Sequence, residues 1–180
     1  MFDGILIDKY GRPYAAKVEQ EITPLWPDPF IEWLEPRLRK DMTVFEWGSG
    51  NGTLWLARRV KSTYSVEHHV LWNRALRPIL PCTSMYTYIP IDKLDLYPAV
   101  IKSQGEFDII IVDGMCRDAC IHEAVKHLAQ DGLLVLDNSD SEAFEAQRWL
   151  ETEGWKSVTL RGKYRWTDDV PHDTRVFWRD

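Results

Sequence analysis

A chain of 180 residues fits one domain, long enough to bury roughly two-thirds of the surface its unfolded form would expose. A net charge of -6 and a pI near 5.4 disfavour a nucleic-acid partner, and no run approaches the roughly 18 apolar residues of a membrane span. Cys82, Cys116 and Cys120 are too few for a disulfide framework, and the first five residues lack a secretory leader's basic start, so a cytoplasmic location is expected.

Residues 1–25 show no clear period and read as an N-terminal arm, with Trp26 and Pro27 placed to fold over a ligand. An amphipathic helix is predicted over 27–40, with Phe30, Ile31, Trp33 and Leu34 as its apolar stripe and Arg37, Arg39 and Lys40 near its negative end. Residues 43–46 form a short β-rich run that ends in glycines, and 54–59 continue as a helix. A second strand is predicted over 64–67, then a helix through Trp72, Leu76 and Ile79, then a third strand over 83–89. After a weaker helix over 94–102, residues 107–113 are almost continuously apolar, as in a parallel strand covered on both faces. Helical spacing over 119–128 gives way at Asp131-Gly132 to a strand over 133–137. A helix over 142–153 stops at Gly154, and two successive strands, 155–161 and 174–178, close the chain. Such alternation specifies a single α/β domain, an arm and helix over 1–40 and a core over 43–180, whose ligand lies at the C-terminal strand edges.

Glu46-Trp47-Gly48-Ser49-Gly50-Asn51-Gly52 falls where the first strand hands over to the first helix. Glycines there let the backbone turn and approach a ligand, although a glycine cluster alone is more often only a turn. Glu67 ends the second strand, where a carboxylate can accept hydrogen bonds from ribose hydroxyls, so the two features together imply a nucleoside-bearing ligand. The spacing here is GxGxG after an acid, rather than the GxGxxG of nicotinamide enzymes.

In these segments the chain resembles the class I S-adenosylmethionine-dependent methyltransferases, with uncharacterised bacterial members similar in FEWGSG (45–50) and VLDNSD (135–140). The resemblance runs from Thr43 to the C-terminus and takes in 107–114, 132–138 and the terminal strand pair. It implies a doubly wound, mostly parallel seven-stranded sheet with helices on both faces and a C-terminal antiparallel hairpin. By the same resemblance Glu46, Gly48, Gly50 and Asn51 contact the methionine part, Glu67 the ribose and His68 the adenine side, with Trp47, Ser49, Gly52 and Asp113 completing the cofactor site. The implied activity is methyl transfer from S-adenosylmethionine to a small-molecule acceptor. An NAD-linked oxidoreductase, an aminopropyl transferase and a non-catalytic S-adenosylmethionine binder are the competing readings.

Asp113 and Asp137 end the two central strands and are the leading candidates for removing the acceptor's proton. Together with Asn138 they form a hard oxygen set suited to Mg²⁺, partly similar to that of catechol O-methyltransferase-like enzymes. The plainer reading of Asp137 and Asn138 is that they end the strand and cap the next helix. Arg117, Asp118, Cys120 and His122 are expected to line the acceptor pocket, and Tyr164, Arg165, Trp166 and His172 to wall it. The pair His68-His69 fits loop packing better than proton transfer.

Overall fold

The computed structural model describes residues 4–7, 13–16, 22–164 and 170–179. Two short strands, β1 (Gly4–Ile7) and β2 (Pro13–Ala16), pair antiparallel in the segment expected as an arm, and β1 lies beside α3 (Val70–Leu76). The core is a seven-stranded sheet of β3 (Thr43–Trp47), β4 (Ser62–Glu67), β5 (Ser84–Tyr88), β6 (Phe107–Val112), β7 (Leu128–Leu136), β8 (Lys156–Gly162) and β9 (His172–Trp178). Its order is β5-β4-β3-β6-β7-β9-β8, and β9 runs antiparallel to both of its neighbours while the other pairings are parallel.

Strand alternation divides the core into two layers. Phe45, Trp47, Ile110, Val112, Leu134, Leu136 and Phe177 point to one face, beneath α4 (Arg117–Ala124) and α5 (Phe144–Thr152). Val44, Ile109, Ile111, Val135 and Val176 point to the other, beneath α1 (Asp28–Leu34) and α2 (Asn51–Ala57). The central strands are aligned across the sheet: Trp47 pairs with Val66 on one side and Val112 on the other, and Val112 pairs with Leu136. Gly48, Glu67, Asp113 and Asp137 therefore arrive side by side at the C-terminal edge.

Three predicted elements come out differently. α1 stops at Leu34 and a 3-10 turn follows over Glu35–Arg37, because Pro36 has no N–H to continue the ladder; Arg39 and Lys40 lie beyond it. Residues 94–102 form no α-helix but two 3-10 segments, Ile91–Leu96 and Pro98–Ser103, the second begun by Pro98. α4 ends at Ala124 instead of Leu128, since Leu128 already pairs with Phe107 as the first residue of β7. Among the described residues, no helix is long and apolar enough to cross a membrane.

Two glycines let β3 and β6 close together at the edge. Gly48 has φ +96, and a Cβ there would lie 3.0 Å from the Asp113 carbonyl. A Cβ on Gly114 would overlap the buried Tyr97 hydroxyl and sit 2.9 Å from the Gly48 nitrogen. Neither neighbour can retreat without moving backbone, so Gly114→Ala is expected to destabilise the fold by about 2 kcal/mol and to lower the thermal midpoint in scanning calorimetry. An unchanged midpoint would show that the Gly48–Gly114 contact is loose.

Candidate functional site

A cavity of about 440 Å³ opens at the aligned strand ends, on the face covered by α1 and α2. The turn from Gly48 to Gly52 forms its floor, Glu46, Glu67, Asp113 and Asp137 line it, and Trp26, Tyr164 and His172 close its sides. Trp47 is a correction to the predicted site. It points into the opposite layer, fully buried, with its indole N–H donated to the Tyr97 carbonyl, because alternation along β3 sends Glu46 and Trp47 to opposite faces.

Glu46 is 3% exposed and accepts hydrogen bonds from Thr53 Oγ1 at 2.5 Å and Ser65 Oγ at 3.0 Å. Burial pushes its carboxyl up to about 8, opposed by the Thr53 hydrogen bond and reinforced by Asp113. Glu67 is equally enclosed: Oε1 accepts the backbone N–H groups of His68 (2.8 Å) and His69 (2.6 Å), and Oε2 accepts Ser49 Oγ (2.5 Å). The Ser49 backbone N–H is a further donor to Glu67, so its own turn and loop engage most of the roughly four acceptor positions of the carboxylate. Burial raises the Glu67 carboxyl as well, against the hydrogen bonds from the Ser49 hydroxyl and the backbone N–H groups of His69, His68 and Ser49. Ser49 gives its single hydroxyl hydrogen to Glu67, so at 3.0 Å the Tyr86 hydroxyl is the donor to Ser49 Oγ. His68 and His69 also line the cavity, and the Nδ1 atom of each is buried without a hydrogen-bond partner. Burial pulls the His68 imidazole below its ordinary value, so it is a neutral ring at pH 7.

At the other end of the cavity, Asp113 and Asp137 lie next to each other at the C-terminal ends of β6 and β7. Both carboxyls are raised, Asp113 by burial against the pull of Arg117, and Asp137 by burial and by Asp113. Thr174 Oγ1 donates to Asp137 Oδ1 at 2.5 Å and the Tyr164 hydroxyl to Oδ2 at 3.3 Å, while Trp26 Nε1 donates to Asp113 Oδ2 at 3.3 Å. Asn138 takes up the left-handed conformation (φ 49) just after β7, which asparagine tolerates, and gives its amide to Tyr164 Oη at 2.6 Å. Asp137 thus caps no helix; the amide of Ala146 at the start of α5 is met by Asp118 Oδ1 at 2.9 Å.

Arg117 lies among these acids. Its Nε donates to Gly114 O at 2.9 Å, Nη1 to the carbonyl of Asp137 and to Asn138 Oδ1, and Nη2 to Asp113 O, Asp113 Oδ1 and Asn138 Oδ1. The residues expected to ligate Mg²⁺ do come together, but they do not fit a divalent cation. The guanidinium already bridges Asp113 Oδ1 and Asn138 Oδ1, and Asp137 accepts from Thr174 and Tyr164. Among the described residues no group of three His, Cys, Asp or Glu is arranged to hold a metal.

The residues after β6 do not line the cavity as expected. Arg117 braces its edge from behind, Asp118 caps α5, Cys120 is buried with Sγ toward Met115 O, and His122 packs on the Trp149 ring at 4.4 Å. These three side chains follow α4 onto the opposite face of the sheet. Tyr164 and His172 stand where the wall was expected, with rings stacked at 4.5 Å; Arg165 and Trp166 lie outside the described residues. Trp26 does close over the glycine turn: a Cβ on Gly52 would come within 2.6 Å of its ring.

No family model matches the chain, and no curated protein matches it in sequence. Solved structures do match in fold. The precorrin-6y C5,15-methyltransferase of Geobacter metallireducens aligns with 84% of this chain and 87% of its own at TM-score 0.67 and 12% identity. The N-methyltransferase NodS of Bradyrhizobium japonicum aligns with 84% of this chain and 93% of its own at 0.59 and 15%. A putative methyltransferase of Streptococcus mutans, SMU.1697c, solved in complex with SAH, aligns with 81% of this chain and 93% of its own at 0.55 and 12%. The seven-stranded sheet, with β9 reversed between β7 and β8, gives this chain the fold of the class I S-adenosylmethionine-dependent methyltransferases.

Proposed function

We propose that this protein binds S-adenosylmethionine and transfers its methyl group to a small-molecule acceptor. The observation that carries the reading is one cavity in which the glycine turn, the two buried carboxyls Glu46 and Glu67 and the Asp113–Asp137 pair converge. Its volume lies within the roughly 300–1,000 Å³ usual for cofactor and ligand sites. When bound, the cofactor supplies an electrophilic methyl group on a sulfonium.

The chain's own residues divide the work. Glu46 stands beside the turn where a ligand ammonium would lie, and Glu67, lining the same cavity at the end of β4, suits a ribose hydroxyl. His69 Nδ1, buried and without a partner, provides a further polar contact at that end. Trp26 closes the cavity against water and keeps Asp113 turned inward through its indole N–H. Holding two reactants in line within one pocket supplies much of the rate of such a displacement. Two arguments weigh against the nicotinamide alternative: the GxGxG spacing and the reversed β9.

Calorimetric titration tests the reading. S-adenosylmethionine or its demethylated product should bind in the micromolar range and the reduced nicotinamide dinucleotide should not; the reverse pattern would overturn it. Gly50 gives a sharper test, because its backbone is extended (φ 177) and a Cβ there would meet nothing closer than the Trp72 ring at 4.0 Å. Gly50→Val should leave the thermal midpoint of the ligand-free protein unchanged and weaken cofactor binding on the order of 10-fold or more. Equal affinity in that variant would remove the turn from the site.

A proton should leave when a cationic ligand binds. Burial pushes the folded Glu46 carboxyl up to about 8, from an ordinary 4.5, so near pH 7 it is mostly protonated, and a cation beside it favours the charged form. Heats of binding at pH 7 in phosphate and in Tris should therefore differ by the release of up to about one proton, and Glu46→Gln should shrink the difference. For the ligand-free protein the sign is also fixed. The neutral form is favoured by folding, so the stability linked to Glu46 is complete below pH 4.5 and is lost as pH rises through about 8. Buffer-independent heats would show that no cation reaches Glu46.

A further inference from the structure

The hydrogen-bond groups at the acceptor end of the cavity carry a polarity of their own. Arg117 has five N–H groups, and Gly114 O, Asp137 O, Asp113 and Asn138 Oδ1 engage them. Trp26 Nε1 is directed to Asp113, the Tyr164 hydroxyl and Thr174 Oγ1 to Asp137, and Asn138 Nδ2 to Tyr164. The donors are thus turned inward, onto the protein's own oxygens. What faces the cavity is an acceptor surface, above all the Asp113 carboxylate, whose side chain is 30% exposed. The described lining contains four carboxyl side chains, Glu46, Glu67, Asp113 and Asp137, and neither lysine nor arginine.

A phosphate or carboxylate entering this end would find no described cationic side chain free to meet it and mainly acceptor oxygens around it. An ammonium would find carboxylate oxygens ready to accept its N–H groups. We propose, building on the cofactor reading above, that the methyl acceptor is a small-molecule amine, held through its N–H groups by Asp113 and flanked by Asn138, Tyr164 and Asp137. In the transfer the amine first gives one proton to solvent water. Its nitrogen lone pair then forms the new N–C bond while the C–S bond breaks and its electron pair stays on sulfur. The products are an N-methylammonium and the neutral thioether.

The test separates this inference from the one beneath it. Metabolites of a cell extract are divided on ion exchangers into cationic, neutral and anionic pools. Each pool is incubated with the full-length protein and S-adenosylmethionine bearing a deuterated methyl group, and labelled products are identified by mass spectrometry. The label is expected in the cationic pool, on nitrogen, and prior acetylation of that pool should abolish it. Should the protein bind the cofactor in the calorimeter yet label only the neutral or anionic pool, or none, the amine is overturned and the cofactor reading stands. Failure to bind the cofactor at all overturns both. With the labelled amine as substrate, Asp113→Asn should lower kcat/KM on the order of 100-fold, chiefly through a higher KM for the amine. An unchanged kcat/KM would remove Asp113 from acceptor binding.

Discussion

The alignment of β3, β4, β6 and β7 is the constraint on which the rest of the molecule depends. Because side chains alternate along a strand, a slip of one residue would exchange the two faces of β6, sending Ile109 and Ile111 into the layer of Phe45 and Leu134. It would also carry Asp113 away from Asp137 and from the Trp26 indole. The packing of two apolar layers thus enforces the register, and the register positions the carboxyls. Gly48 and Gly114 belong to the same constraint, since a side chain at either would push apart the strand ends that the site requires to be close.

Bringing four acids to one edge has an electrostatic cost, which the chain offsets locally. Each carboxyl receives donors from its own neighbourhood: Thr53 and Ser65 for Glu46, Ser49 and two backbone amides for Glu67, Trp26 for Asp113, Thr174 and Tyr164 for Asp137. These bonds are not sufficient to keep all four ionised, and burial raises every one of them. Glu46, pushed up to about 8, carries the clearest part of that cost.

Much of this was legible in the sequence because the signals are local. A strand, a glycine turn and a helix occupy adjacent residues, and the acid ending the next strand lies one unit further on, so Glu46 to Gly52 and Glu67 could be paired from spacing alone. Strand ends at Asp113 and Asp137 were readable from apolar runs. Features made by distant segments were not. Trp26 reaches Asp113 across 87 residues and Asn138 reaches Tyr164 across 26, and no periodicity encodes either contact. Trp47 misled because membership in the motif says nothing of which face a side chain takes. The helix after β6 was placed too far along because an apolar period continues into Leu128, where pairing with Phe107 prevails over local helical preference.

Arg117 changes the chemistry that the acid cluster can perform. A divalent cation among the same oxygens would act as a Lewis acid, binding a hydroxyl through an empty coordination position and lowering its pKa. A guanidinium supplies positive charge in a fixed plane but accepts no lone pair, and here its donors are engaged by Gly114, Asp113, Asp137 and Asn138. It holds the edge together and partly neutralises the acids without touching a substrate. An alcohol, whose proton is held far above neutral pH, gains little activation from such a cluster. An amine requires less, because once it has shed its ammonium proton its lone pair is already nucleophilic. In the proposed transfer, positioning beside the sulfonium rather than acidification is then the task left to the protein, and an aligned edge of rigid strand ends suits that task.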